Sequence, residues 1–217
     1  VFGLDSKYNN NGTAFSEYRI RDGISAREAE AAIGLRNRWE LEKGFYATTS
    51  FEQVKSLSKA DTDNQNSDNT AASLGVEYLA NPNWKAVARI EARWADQSDT
   101  ILNNLGIAYK YSNDVTLLAK NVVSLTDSKN ENSGDRLVDR FQVGAAYRDT
   151  EHNRFDALTK VEYRYDSNKS DLNNPYLKHV YIFSNHLNYH PSRDITLSGQ
   201  YAVKNVDTTF SGLESSG

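Results

Sequence analysis

The chain has 217 residues, 25 % of them charged, with a mean hydropathy of −0.70, a formal net charge of −4, and neither Cys nor Met. The absence of Cys excludes disulfides and thiolate metal sites, and the weakly negative charge gives no footing for nucleic-acid binding. No run approaches the ~18 apolar residues of a membrane helix, which excludes a helical membrane protein but not membrane strands, whose apolarity sits in every second position.

Turn signals recur along the chain with a regular beat, at Asn10-Asn11-Gly12, Glu42-Lys43-Gly44, Asn81-Pro82-Asn83, Asn113-Asp114, His152-Asn153 and Pro191-Ser192-Arg193-Asp194. Longer stretches rich in Asp, Asn, Ser and Lys lie between them, at about 22–27, 57–70, 96–100, 127–135 and 166–175. Short turns alternating with long polar loops predict about twelve antiparallel strands in an up-and-down arrangement. No linker divides the chain, so residues 1–217 read as a single domain.

The segments between turns alternate with period two rather than 3.6. Segment 31–41 sets Ala31, Ile33, Leu35, Trp39 and Leu41 against Arg36, Arg38 and Glu40. Segment 84–94 sets Trp84, Ala86, Ala88, Ile90, Ala92 and Trp94 against Lys85, Arg89, Glu91 and Arg93. The same pattern returns at 137–147 around Arg140, at 155–165 around Lys160, Glu162 and Arg164, and at 195–203. Ten residues at about 3.3 Å each, tilted by roughly 40°, project to about 25 Å, the height of the apolar band on a membrane β-barrel.

Aromatic placement is an independent signal, because alternation does not require rings at strand ends. Trp39, Trp84, Tyr109, Tyr147 and Tyr189 fall near the short turns, with Phe45, Tyr78 and Phe155 among others. Tyr18, Phe51, Trp94, Tyr163, Tyr165, Tyr181 and Tyr201 are expected near the long loops. Two aromatic girdles at two membrane interfaces follow. Asn37, Asn103, Asn121 and Asn185 break the pattern on the apolar face, and Phe15, Tyr46, Leu118, Val122 and Ile182 break it on the polar face. A bulge that shifts parity, or a contact with another protein, would account for them.

The polar face is the candidate for function. Arg36, Arg38, Lys85, Arg89, Arg93, Arg140, Lys160 and Arg164, with further cations such as Arg21, outnumber carboxylates such as Glu91 and Glu162. Lining a watery lumen, that surplus would favour anions; paired across the interior, the same charges would form a plug. Segment 61–68 carries carboxylates at Asp61, Asp63 and Asp68 but holds Asn66 and Ala72 where an EF-hand loop needs Gly and Glu, so it reads as a solvated loop. His179, His186 and His190 near Ser184 and Asn185 resemble in composition the Ser, His and Asn of an outer-membrane phospholipase, but only Ser184 and His186 offer a hydroxyl and a base on one face. No catalytic residue, metal ligand or cofactor is therefore assigned. Asn11-Gly12-Thr13 and Asn168-Lys169-Ser170 match the glycosylation pattern and read as chance matches in polar turns.

With its hairpin beat and patterns such as Glu30-Ala31-Ala32-Ile33-Gly34-Leu35-Arg36-Asn37-Arg38-Trp39, the chain resembles a Gram-negative outer-membrane β-barrel over nearly its whole length, and more weakly the barrel regions of large proteobacterial surface proteins. The resemblance implies an all-β, antiparallel, transmembrane barrel in the bacterial outer membrane, embedded in its lipid. Short turns on the periplasmic side would leave both chain ends outside the cell, and Ser211–Gly217 lacks the aromatic that usually closes a barrel. A chain trimmed at both ends, from a parent barrel of fourteen or more strands, is the expectation. Three classes follow: a porin-like pore or conduit with a basic lining, for small anionic solutes or as a sheath around another protein; an anchor with a salt-bridge-plugged interior that holds a protein partner in the lumen or at the long loops; and a soluble β-sandwich or flat sheet, disfavoured by strand length and by an outward face that would need another layer. An outer-membrane hydrolase is a further alternative.

Overall fold

The computed structural model describes residues 2–22, 27–57, 68–130, 133–172 and 174–210. Twelve strands form one antiparallel sheet whose spatial order is the chain order: β1 (Phe2–Lys7), β2 (Gly12–Asp22), β3 (Arg27–Glu42), β4 (Phe45–Ser56), β5 (Asn69–Tyr78), β6 (Trp84–Ala95), β7 (Ser98–Lys110), β8 (Val115–Ser128), β9 (Arg136–Arg148), β10 (Phe155–Asn168), β11 (Tyr176–Ser192) and β12 (Ile195–Phe210). Each strand is a hairpin partner of the one before it, and no helix occurs among the described residues. β1 and β12 do not contact one another among these residues and are the two edges of the sheet.

Directly opposed residues in an antiparallel pair share a face, so the register tests the alternation across strands as well as along them. One row runs Ala14, Leu35, Phe51, Ala72, Ala92, Ile101, Leu125 and Leu137 from β2 to β9. The next row on the other face runs Arg36, Ser50, Ser73, Glu91, Leu102, Ser124, Val138, Asp166 and Lys178 from β3 to β11. The sheet therefore has one apolar face and one charged face. The ladder shifts register only between Glu40 and Glu42 and between Tyr189 and Ser192, both beside short turns.

The polar stretch at 96–100, expected to be a long loop, is instead a two-residue turn at Asp96 and Gln97. Ser98, Asp99 and Thr100 pair with Ser128, Asp127 and Thr126, and Lys129 clamps the turn through its backbone N–H to the Gln97 carbonyl (2.9 Å) and its Nζ to the Ala95 carbonyl (2.8 Å). Ladder hydrogen bonds join backbone to backbone, so a strand continues through polar residues that read as loop. The long polar segment 61–67 and the chain end 211–217 lie outside the described residues, as does the side chain of Arg21.

The few fully buried side chains lie on the charged face. Phe15, Ala32 and Val54 form one cluster across β2, β3 and β4, and the Phe15 ring lies directly opposite Gly34. The Arg36 guanidinium lies over that ring, 3.9 Å from its centroid, a cation–π contact. Gly34 has no room for a side chain: a Cβ there would stand 2.3 Å from the Phe51 carbonyl oxygen and 2.6 Å from the Phe15 ring. Gly44 closes the β3–β4 turn with a φ of 75°, a conformation that costs other residues steric strain.

The β9–β10 turn is built around Asp149. Its carboxylate accepts the backbone N–H groups of His152 (3.0 Å) and Arg154 (3.4 Å), while Asn153 takes a φ of 51° and donates its own N–H to the Asp149 carbonyl (3.0 Å). The His152 N–H is the main cause of an Asp149 pKa below the ordinary aspartate value.

Two predictions follow from these local constraints. Gly34→Ala should lower stability by about 1–3 kcal/mol through overpacking against Phe15, read as an earlier urea midpoint for detergent-folded protein. Because the Asp149 pKa is depressed on folding, its contribution is present above the unfolded-state value and lost as pH falls through the folded one. Asp149→Asn should thus lower the unfolding midpoint at neutral pH, and the gap to wild type should close in acid.

Candidate functional site on the charged face

Period-two alternation places the expected charged set on one face, and the structure shows how these charges pair. Glu91 lies between Arg89 (2.9 Å) and Arg93 (3.0 Å) on its own strand, β6. Glu162 on β10 is a hub: its Oε1 receives Arg164 (3.0 Å) and Arg140 (3.4 Å), and its Oε2 receives Lys160 (3.3 Å) and accepts the Gln142 amide at 2.6 Å. Arg19 joins Glu17 (2.8 Å) to Glu52 (2.9 Å), Arg36 reaches Glu17 (3.5 Å), and Arg38 reaches Glu77 (2.9 Å). Arg136 grips Asp166 through two nitrogens at 3.1 and 2.9 Å, a bidentate pairing.

These pairs join residues two apart on one strand, on neighbouring strands, or on strands separated by one. They lie along the wall. Around Glu91 and Glu162 the carboxylate is covered while the cations stay open: the Glu162 side chain is 5 % exposed, against 39 % for Lys160 and 42 % for Arg140, whereas Arg19 is as covered as its partner Glu17. One carboxylate shared among several cations leaves net positive charge facing outward from this surface, with Lys85 exposed and free of any ion pair among the described residues.

The apolar face carries its large side chains uncovered, Ile90, Leu105 and Ile107 among them. Its rings gather at the short-turn end. Phe45 opposes Tyr78, Trp84 opposes Tyr109 and Phe155 opposes Tyr189; Tyr78 stacks on Trp84 at 4.4 Å and Tyr147 meets Phe155 at 6.0 Å. Trp39 occupies the same end of β3. At the other end the rings cluster on β10 and β11, where Tyr163 packs on Tyr181 at 5.1 Å and Tyr165 meets His179 edge-on at 5.5 Å, with Trp94 near the end of β6. Of the other rings expected in this group, Tyr18 and Phe51 lie as near the loop ends of β2 and β4 as Tyr163 does on β10, whereas Tyr201 lies nearer the turn end of β12.

The polar residues on the apolar face are not products of a bulge, because the ladder is in register around them. Three of them are satisfied by neighbouring side chains. Asn121 donates to Asp139 (2.6 Å), Asn185 accepts the Thr159 hydroxyl (2.6 Å), and Asn37 accepts the Tyr8 hydroxyl and donates weakly to Thr49 (3.4 Å). Pairing of this kind offsets the cost of placing polar groups on an apolar surface.

Ser184 and His186 share the charged face, but no hydrogen bond joins them among the described residues. The line of hydroxyl, imidazole and carboxylate forms elsewhere: His190 stands between Thr196 Oγ1 (3.0 Å) and Asp156 (3.2 Å), tying β10, β11 and β12 together beside the last turn. Asp68, the one member of the acidic segment 61–68 that is described, accepts the Ser56 backbone N–H (2.8 Å). No group of His, Asp and Glu able to hold a metal occurs among the described residues.

Comparison with known proteins gives no match: no family model fits the chain, and no curated protein is significantly similar to it.

Glu162 is the keystone of the charged face, and its loss would strand three cations. Glu162→Gln should cost about 2 kcal/mol, because charge-assisted hydrogen bonds are lost and like charges are left together. Glu40→Gln, which removes a carboxylate that among the described residues accepts the Gly44 N–H and the Tyr46 hydroxyl and pairs with no cation, should cost less in the same urea titration.

Proposed function

We propose that this sheet is the wall of an integral outer-membrane β-barrel and that its charged face lines a water-filled, net basic conduit for small anions. The observation that carries the reading is the arrangement of ion pairs flat along one face, with Glu91 and Glu162 covered and the cations around them open. A wall so arranged concentrates anions in adjoining water, since rings of like charge set the local ion population of a pore.

The membrane location is supported by the opposite face. A soluble sheet would cover so wide an apolar surface with a second layer about 10 Å away, and exposed apolar patches beyond a few hundred Å² mark contact surfaces. Strands of 10 to 17 residues from β2 to β12 are long enough to cross the hydrocarbon core when tilted, and stacked rings bound their apolar stretch at the short-turn end.

The anchor reading draws on the Glu162 hub, which a plugged interior would also contain. It predicts a folded barrel that passes no current. The conduit reading predicts stable conductance steps in a planar bilayer and an anion-selective reversal potential under a salt gradient. Arg89→Glu with Arg93→Glu places three carboxylates in a row at 89, 91 and 93 and should move the reversal potential toward cations. An unchanged value from conducting protein would remove the charged face from the conduction path.

A further inference from the structure

Not all of the charged face is charged. Near its short-turn end a hollow of about 420 Å³ opens across β6 to β10, and its wall includes Val87, Leu118 and Leu158. These three are 43 %, 39 % and 43 % exposed, although they lie on the face that elsewhere carries ion pairs.

The register explains why a hollow forms there. Gly106 lies directly opposite both Val87 and Lys120, and Gly144 lies directly opposite both Leu118 and Lys160. Two missing side chains at the centre of the patch leave a depression, with larger apolar groups around it. Lys85, Lys120 and Lys160 stand in its lining. Lys160 is held by Glu162, whereas Lys85 and Lys120 have no ion pair among the described residues. The residues opposite Lys120 are Gly106 and Gln142, and the residue opposite Lys85 is Ala108, so no carboxylate faces either lysine across the ladder.

We propose that this hollow binds small hydrophobic carboxylates, with the apolar body on Val87, Leu118 and Leu158 and the carboxylate held by Lys85 and Lys120. The size suits such a ligand, since small-molecule sites run from about 300 to 1,000 Å³ and combine apolar walls with a few placed polar groups. The charges are complementary: two unpaired ammonium groups at the edge of an apolar surface favour an anion with an apolar body over a bare anion, which gains nothing from the floor, and over a neutral apolar molecule, which gains nothing from the lysines. This deepens the conduit reading by naming a class of solute, and it rests on that reading only in taking the charged face to border water.

The test is saturable binding of 4-fluorobenzoate to the full chain folded in a non-ionic detergent, followed by ¹⁹F NMR line width and shift. Binding should saturate, and fluoroacetate and 4-fluorobenzamide should bind at least about tenfold more weakly. Lys85→Gln with Lys120→Gln should weaken 4-fluorobenzoate by about tenfold or more, whereas Lys178→Gln with Lys204→Gln, which removes two lysines of the same face outside the hollow, should leave it unchanged. Far-UV circular dichroism and heat-shifted gel mobility confirm that each variant is folded. Non-saturable uptake by wild type, or equal affinity in the Lys85 and Lys120 variant, would overturn the site. Because binding is read without a bilayer, anion-selective current together with absent binding would remove the site and keep the conduit, and binding without current would keep the site and remove the conduit.

Discussion

Everything in this molecule depends on one hydrogen-bonded ladder held in register through twelve strands. With a side-chain period of two, a slip of one residue at any pairing would carry the whole apolar set of the next strand to the other face. The only register shifts lie beside short turns, so the apolar row from Ala14 to Leu137 and the charged row from Arg36 to Lys178 cross the sheet intact. The turns help set that register: Gly44 supplies the left-handed conformation for one, and Asp149 gathers the amides of another. Among the described residues no second layer packs on the sheet. Its stability therefore rests on backbone pairing, cross-strand contacts and whatever medium covers the apolar face.

The charged face resolves a conflict between two demands on the same residues. Exposed cations would repel one another if left alone, yet full pairing would leave a neutral surface. Sharing a carboxylate among two or three cations, as Glu91 and Glu162 do, limits the repulsion while preserving an excess of positive charge. The covered carboxylates hold the guanidinium groups in fixed orientations, and the open side of each cation remains available to an anion. Lys85 and Lys120 depart from this scheme: Lys85 faces Ala108 across the ladder and Lys120 faces Gly106 and Gln142, none of them a carboxylate.

Much of the architecture was legible in the sequence, because alternation and turn chemistry are local. Residues such as Ile90, Arg93 and Glu162 declare their face by parity alone, and Gly44 and Asn153 mark turns by their conformational needs. What escaped depended on partners distant in the chain. The turn at Asp96 and Gln97 looked like a loop because the pairing of Ser98, Asp99 and Thr100 with β8 is invisible in their polarity. Asn121 and Asn185 looked like errors of parity because their partners, Asp139 and Thr159, are 18 and 26 residues away. The hollow at Gly106 and Gly144 needed the register of five strands before two separate glycines became one feature.

The edges carry a last consequence for the membrane reading. β12 pairs with β11 along one side only, and its other side presents the backbone groups of a 16-residue strand. Water satisfies such groups, but hydrocarbon does not, and each one left unpaired there costs several kcal/mol. A single strand edge of this length would thus outweigh the whole stability of an ordinary domain, which is about 5–15 kcal/mol. Placement of this sheet in a bilayer accordingly requires a strand against the free side of β12 and another against that of β1, whether the two edges meet each other or are completed by further strands. An apolar face set in lipid would demand closure, and closure would turn the charged face into the lining of an enclosed space.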